Sequence, residues 1–187
     1  MMGGANQQER LLTHEEQKRW FLAGLFEGEG SLCVSIKEHP TAKFGYLIDP
    51  EVFLYQHESR RQLLELAREV FGTGRIFRKV GNYPVLVYAI YSRRSISERV
   101  VPFLEKYVMP FSARKEDIAL FIEIVRAFER QEHHTQEGIL RILDMAYRMN
   151  PEGKGKRRKN THEQVVRRIL RDCTPDTRES EDTVRPA

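Results

Sequence analysis

The residues LAGLFEGEGSL, at positions 22–32, constrain the fold more than any other part of the sequence. A T-H-E-E capping-box pattern at positions 13–16 predicts a helix that begins there and ends near Gly28. Apolar and polar residues then alternate from Ser31 to Lys37, which predicts a half-buried strand. The stretch therefore predicts a helix that continues almost directly into a strand.

Gly24 and Gly28 lie four residues apart and so share one face of this helix. A glycine inside an exposed helix costs about 1 kcal/mol relative to alanine, and the close approach of another backbone would compensate for that cost. No second copy of the stretch occurs in the chain, so the symmetric partner would be a second molecule. We therefore expect a two-fold homodimer with Ala23, Gly24, Glu27 and Gly28 at its interface.

Glu27 and Glu29 lie where the helix macrodipole is negative, which is an unfavourable place for carboxylates. In a two-fold dimer, Glu29 would approach the same residue of the second molecule. Converging carboxylates need cations, and an oxygen-ligated divalent ion such as Mg²⁺ meets that need. From residue types alone the alternative is that both acids are solvated and that the glycines only end the helix.

The rest of the chain continues the pattern of helices and strands. We predict a second strand over 44–56, a helix from Ser59 to Gly72, a hairpin of strands 74–80 and 83–91, and a short helix from Ser95 that Pro102 kinks or splits. Further helices are predicted over 112–131 and 136–149 and after Thr161. The order α-β-β-α-β-β-α indicates an α+β fold: four antiparallel strands with helices on one face, the other face open, and a C-terminal helical extension.

The composition limits the classes of function. The 187 residues carry a net charge of only +4, so the distribution of charge matters more than its total. Cys33 and Cys173 form no metal-ligand pattern and indicate thiols in a reducing compartment. No apolar run approaches the ~20 residues of a membrane span, and positions 1–10 have no secretory character. We expect an intracellular protein, from a bacterial cytoplasm or an organelle, with disordered segments at 1–12 and 173–187 around a domain at 13–172.

LAGLFEGEGSL closely resembles the signature of the LAGLIDADG homing endonucleases. Leu22, Ala23, Gly24, Leu25 and Gly30 match the signature, and both of its acidic positions hold acids. The resemblance extends over roughly residues 15–170, because the family shares the α-β-β-α-β-β-α order and reads DNA with a saddle-like antiparallel sheet. A single signature is similar to the homodimeric branch, which includes enzymes of ribosomal-RNA introns.

The resemblance implies a site for phosphodiester hydrolysis. Glu29 takes the position of the metal-binding acid, the Gly28 carbonyl adds a ligand, and Glu27 takes the more structural acidic position. Gln56, near the end of the second strand, corresponds to the residue that orients water. Arg60 and Lys115 correspond to basic residues near the scissile phosphate. Mg²⁺ or another divalent ion such as Mn²⁺ would support cleavage, and Ca²⁺ would substitute without activity.

The open face of the sheet is the expected DNA platform, because a β-ribbon can enter the major groove. Ser35 and Lys37 point away from the apolar face of the first strand, and Arg75, Phe77 and Lys79 share a face of the third. The remaining cations predicted to contact DNA are Arg93, at the end of the hairpin, and Lys154, Lys156, Arg157, Arg158 and Lys159 of a basic loop. This loop either binds DNA phosphates or is only a solvated linker, and both interpretations stay open.

Together these features predict a metal-dependent, site-specific DNA endonuclease that cuts a long, roughly palindromic target as a homodimer. Double-stranded DNA is the expected partner, with no membrane and no small-molecule substrate. Two alternatives stay open: an RNA-binding maturase that assists intron splicing, and a DNA-binding module that does not cleave. Asp49 and Glu51 are unexpected on a strand that reads DNA. They accept from cytosine N4, or the predicted register is wrong by one residue.

Overall fold

The computed structural model describes residues 12–149 and 160–171. The first helix, α1 (His14–Glu29), begins where the capping pattern predicts, and the Thr13 side chain accepts a 3.2 Å hydrogen bond from the Glu16 N–H. Strand β1 (Gly30–Glu38) follows without an intervening loop. The predicted junction of helix and strand is therefore confirmed.

Four strands form one antiparallel sheet in the order β1-β2-β4-β3. The other three strands are β2 (Tyr46–His57), β3 (Arg75–Arg78) and β4 (Val85–Ile90). Glu51 lies opposite Cys33, and Asp49 lies opposite Ser35. Pro50 lies in the interior of β2 and does not interrupt the strand, so the acids at 49 and 51 share the open face with the residues predicted to read DNA.

Helices cover one face of the sheet and bury its apolar side chains. Helix α2 (Arg61–Phe71) follows a 3-10 turn (Glu58–Arg60) and packs on β2 and β4, and α5 (Lys115–Glu129) packs on β1 and β2. The buried strand side chains of this core are Val34, Tyr46, Ile48, Val52, Leu54, Leu86, Tyr88 and Ile90. The α+β class and the arrangement of helices on one face are confirmed.

The segment after β4 departs from the prediction in a way that Pro102 explains. Ser92, not Ser95, caps it, accepting a 3.2 Å hydrogen bond from the Ser95 N–H. Short α-helices α3 (Arg93–Ser95) and α4 (Val101–Phe103) alternate with π-helical turns (Ile96–Val100 and Leu104–Val108). Proline lacks an N–H and crowds the preceding turn. Wider π-helical turns accommodate it, so the helical path is neither split nor stopped.

Two other predicted helix starts differ from the structure. His57, not Ser59, caps the turn before α2, because its ring Nδ1 accepts from the Ser59 N–H at 3.2 Å. Helix α5 begins at Lys115 and not at Ser112, because the Ser112 hydroxyl is engaged outside the helix. In both places a side chain binds a neighbouring group and holds the chain in a turn before the helix begins.

The C-terminal helices form the predicted extension. Helix α6 (Gln136–Arg148) packs on α5, and α7 (His162–Arg171) buries Val165 and Ile169. Thr161 and Gln164 exchange hydrogen bonds of 2.8 and 3.3 Å in the predicted capping box. Within the described ranges, no helix is long and apolar enough to cross a membrane. Both predicted terminal segments, apart from Leu12, and the basic loop at 154–159 lie outside the described residues.

Candidate active site and nucleic-acid interface

The junction of α1 and β1 presents oxygen atoms of two kinds. Gly28 and Glu29 are exposed, and Gly30 is buried as the first residue of β1. Among the described residues, no hydrogen bond or ion pair is recorded for the Glu29 carboxylate. A carboxylate and a nearby backbone carbonyl are the hard ligands that Mg²⁺ prefers. Glu29 and Gly28 therefore fit the predicted role of metal ligands.

Arg114 closes the same junction from the side of α5. Its guanidinium donates to the carbonyl oxygens of Phe26, Glu27 and Gly30 at 2.9–3.0 Å. The Phe26 carbonyl also accepts the Gly30 N–H, so Arg114 adds a second donor there, and a cation at this end of the helix opposes the negative end of the macrodipole. None of these hydrogen bonds goes to Gly28, so Arg114 supports the turn without using the carbonyl predicted to hold metal.

The two acids of the signature have different environments. The Glu27 carboxylate accepts from the Ser112 hydroxyl at 2.7 Å and from the Ala113 N–H at 3.1 Å. It therefore fixes the turn that precedes α5. Both contacts are within its own chain, and the placement of Glu27 at a dimer interface stays a prediction. Its predicted structural character agrees with these contacts.

The predicted catalytic residues converge on one end of the sheet. Leu54 pairs with Gly30, so Gln56, two residues further along β2, lies on the same strand face near the end of α1. Gln56 is only 7% exposed. Lys115 is the exposed first residue of α5, directly after Arg114. Arg60 is exposed in the turn that follows β2. One end of the sheet thus gathers an acid, an amide and two cations.

One stripe of α1 is exposed or only partly buried in the protomer. Phe21, Gly24, Leu25 and Gly28 follow the spacing of a single helix face, and Phe21 is 56% exposed. A Cβ atom added to Gly24 or Gly28 would meet nothing within 4 Å. Ala23, in contrast, is 5% exposed and belongs to the core. Little of the Ala23 side chain is therefore left for contact with a partner, and its place at the interface stays a prediction.

The open face of the sheet carries the predicted DNA-contacting residues in register. Ser35 and Lys37 on β1 share it with Arg75 and Phe77 on β3, and Phe77 is 41% exposed. Lys79 lies just beyond β3, with its ammonium 5.0 Å from the centre of the Tyr55 ring. The alternation of strand residues places all of these on the face away from the helices.

Aromatic rings form the floor of this face. Phe53 contacts Tyr55 and Tyr91, with ring centres 6.1 and 5.7 Å apart, and the Arg75 guanidinium lies 5.8 Å from the Tyr91 ring. Burial raises the pKa of Tyr55 above its usual value, so its hydroxyl stays neutral and able to donate. Cations held over rings lose less side-chain entropy when they contact DNA.

The two unexpected acids of β2 are each paired with a cation. Asp49 accepts from the Arg93 Nε at 2.9 Å, and Arg93 also donates to the Ile48 carbonyl at 3.1 Å. The Arg93 guanidinium lies 4.1 Å from the centre of the Phe128 ring. Arg93 therefore binds groups of its own chain, and its role as a DNA contact stays a prediction. Glu51 is paired with Lys37 at 3.2 Å.

Sequence comparison agrees with this geometry. The profile of the family described as LAGLIDADG endonuclease matches residues 22–125, which run from α1 into α5 and include the whole sheet. The chain belongs to this family. Within its described part, no three His, Cys, Asp or Glu side chains form a group that could hold a metal ion.

Relatives with known structures include DNA-bound enzymes. DNA endonuclease I-CeuI of Chlamydomonas moewusii is 40% identical over 126 residues, which are 66% of this chain and 58% of the relative. The group I intron-encoded homing endonuclease I-CeuI complexed with DNA superposes with a TM-score of 0.77 at 34% identity, over 85% of this chain and 79% of that one. The archaeal intron-encoded homing endonuclease I-Vdi141I complexed with DNA gives 0.78 at 29% identity, over 85% and 98%.

Proposed function

We propose that two copies of this chain assemble around α1 and cut both strands of a long, roughly palindromic DNA site in a divalent-metal-dependent reaction. The observation that carries the proposal is the contrast between the two acids of the signature. Glu27 binds groups of its own chain, whereas no partner of Glu29 is recorded among the described residues. An exposed carboxylate beside the backbone carbonyl of an exposed glycine, Gly28, in a protein of this family, is suited to a metal.

The exposed stripe of α1 supports the dimer. Phe21, Gly24, Leu25 and Gly28 offer apolar surface together with two positions that have no side chain. Two such helices can approach closely, because glycine permits backbone contact. A two-fold axis along this stripe would bring the Glu29 residues of both protomers to the same place. The dimer would then offer two carboxylates for metal binding, whereas one protomer offers one.

The residues around Glu29 suit phosphodiester hydrolysis. Lys115 and Arg60 are exposed cations that would bind the scissile phosphate and offset the negative charge that develops during attack. Gln56 would hydrogen-bond and orient the attacking water, and its burial would restrict its rotamers. A divalent ion, when bound by Glu29 and Gly28, would lower the pKa of water and stabilise the leaving oxygen.

The open face supports DNA as the substrate. Arg75 and Lys79 project from the hairpin of β3 and β4 over aromatic rings, and two relatives of this fold are described in complex with DNA. In the family, cleavage leaves short 3′ overhangs, and we propose the same for this chain. A β-ribbon that follows the major groove can reach base edges on both strands.

The experiment uses a duplex that joins the two DNA sequences flanking the gene at its insertion point, because that junction is the expected homing site. We expect the protein to cut both strands of this duplex in Mg²⁺ or Mn²⁺, to bind it uncut in Ca²⁺, and to do neither with a shuffled duplex. Failure to cut the junction under any of these divalent ions would overturn the proposal.

A further inference from the structure

Glu51 is an acid in the middle of a surface that should meet DNA. It lies on the open face of β2, which no described helix covers, yet it is only 9% exposed. Its Oε1 accepts from the Lys37 ammonium at 3.2 Å, and its Oε2 accepts from the Cys33 Sγ at 3.7 Å. Lys37 itself reaches outward, with 67% of its side chain exposed. The pair thus presents an acceptor and a donor side by side.

A carboxylate near phosphates is unfavourable unless it gains a specific partner. Two oxygens offer about four lone-pair positions, and the recorded contacts of Glu51 use two of them. In the major groove the only donors are the amino groups of cytosine N4 and adenine N6, whereas guanine and thymine present acceptors. Glu51 can therefore favour an amino-bearing base and disfavour the other two.

The spacing of the pair matches a base pair. Within a C·G pair, cytosine N4 donates to guanine O6 at about 2.9 Å, the usual N–H···O distance. The Glu51 and Lys37 atoms are separated by 3.2 Å, with the acceptor and the donor in the complementary order. A carboxylate over N4 and an ammonium over O6 would thus be satisfied together.

The groups at either end of the base pair decide between C·G and A·T. Beyond O6, guanine offers a second acceptor, N7, to Lys37, whereas thymine offers a methyl group there. Beyond N6, adenine presents its own N7 lone pair to Glu51, whereas cytosine presents only a C–H group. Both differences favour C·G with the cytosine under Glu51.

We propose that Lys37 and Glu51 together read one C·G base pair in each half-site, an inference that rests on the proposed endonuclease function. Its position follows from the register. Cys33, opposite Glu51, lies four residues after Glu29, or about 13 Å along a strand. With β1 aligned along the groove and about 3.4 Å for each base pair, we place the C·G pair about four base pairs outward from the cleaved bonds.

The test uses the junction duplex and every single-base variant of it. Cleavage rates of the wild-type protein define the preference at each position, and we expect a C·G preference about four base pairs from each cut. Glu51→Gln should relax this preference about tenfold or more and shift it toward adenine, because glutamine pairs with adenine N6 and N7. Preferences elsewhere should stay as in the wild type.

Asp49→Asn is the matched control, because it removes the same charge two residues away on the same face. Arg93 holds Asp49 within the protein, so this variant should leave the C·G preference unchanged. Lys37→Gln, at an exposed side chain, tests the same base pair if Glu51→Gln does not fold. It should weaken discrimination for guanine over thymine at that position only.

Several outcomes would overturn the inference and leave the proposed function intact. One is that the wild-type protein cleaves without a C·G preference at this position. The same holds if it has the preference but neither Glu51→Gln nor Lys37→Gln alters it. Another is an even change across all variants of the duplex, which would make the pair an electrostatic contact only. A third is an equal shift in Asp49→Asn. Wild-type protein that cuts no duplex would instead overturn the endonuclease proposal, and the inference with it.

Discussion

Arg114 donates a 3.0 Å hydrogen bond from its guanidinium to the carbonyl oxygen of Phe26, across the point where α1 gives way to β1. The contact joins residues that are far apart in the sequence. It explains how a helix can end on two glutamates, because a cation occupies the position where the macrodipole is most negative. The chain's own arginine therefore stabilises the turn, and Glu29 remains available for another ligand.

Arg114 and Lys115 should differ sharply when each is replaced by methionine. Arg114→Met removes hydrogen bonds to three carbonyls from a side chain that is about one-third exposed. We expect a loss of about 1–3 kcal/mol in the free energy of unfolding. Lys115→Met should leave stability unchanged and lower the cleavage rate about 100-fold or more, if its ammonium offsets charge at the phosphate. Thermal unfolding and single-turnover cleavage of both variants make the comparison.

The reverse pattern would contradict both assignments. If Lys115→Met lowers the melting temperature and Arg114→Met does not, the roles assigned to the two residues are reversed. If neither variant changes cleavage once the protein is folded, Lys115 has no part in the chemistry.

Glu29→Gln should abolish cleavage and preserve DNA binding. The substitution keeps the size of the side chain and removes the charge that a divalent ion requires. Its exposure and lack of recorded contacts make a loss of stability unexpected. Cleavage in Mg²⁺ and affinity in Ca²⁺ are measured on the same duplex. Glu27→Gln is the comparison: it should lower stability through the weakened contacts to Ser112 and Ala113. Near-normal cleavage by Glu29→Gln would exclude Glu29 as the metal ligand.

The sequence was sufficient to predict the strands and which face each strand residue occupies. It was less able to predict which side of a helix is buried. Alternation along β1 and β3 assigns each side chain to a face once the strand is known, and the structure confirms those faces. A helix turns about 100° at each residue, so Ala23 and Gly24 are neighbours in sequence and lie on different sides. Only the position of the core decides that Ala23 is buried and Gly24 is exposed.

Arg114 and Arg93 could not be assigned from sequence for a related reason. Each is an arginine beside another basic residue, and composition does not distinguish a cap from a DNA contact. Their partners, the α1 carbonyls and Asp49, are brought near only by the packing of α5 and α3 against the sheet. An unexplained acid such as Asp49, on a face predicted to bind DNA, was the one available signal that a nearby cation is bound internally.

Gly24→Leu should separate the dimer and leave the protomer folded. A Cβ atom added at Gly24 meets nothing within 4 Å, and leucine favours a helix over glycine by about 0.5–1 kcal/mol. Between two closely packed helices, however, the added volume has no space. We expect a dimer in the wild type and a folded monomer in the variant by sedimentation and circular dichroism.

Ala119→Leu is the matched control for this change, because it adds a side chain to an exposed helical position on α5. It should remain a dimer. A dimeric Gly24→Leu protein, or a wild-type protein that stays monomeric both free and on DNA, would contradict assembly through α1.

The basic run at 154–159 should act on all DNA sequences alike. Five of its six residues are cations, and dense charge of this kind suits phosphates. Neutralising Lys156, Arg157 and Arg158 should weaken binding evenly and reduce the salt slope by about 0.9 for each phosphate that the run no longer neutralises. Affinity is measured at several salt concentrations for the junction and shuffled duplexes.

A control that neutralises Arg68, Arg126 and Arg141, which lie on helices, should keep the slope. An unchanged slope in the first variant would make the run a linker only.

Arg75 should read a base, in contrast to the basic run. Its side chain leaves β3 on the open face, over Tyr91, whereas Arg78 leaves the opposite face and pairs with Glu58 at 2.6 Å. Arg75→Ala should cost about 1–3 kcal/mol of binding free energy on the preferred duplex and relax the preference at one base pair in each half-site. Arg78→Ala, the matched control, removes the same side chain and should leave every base preference intact. Affinities across the single-base variants decide the matter. An even loss in Arg75→Ala, or a shared loss of preference in both variants, would place the reading of bases elsewhere on the sheet.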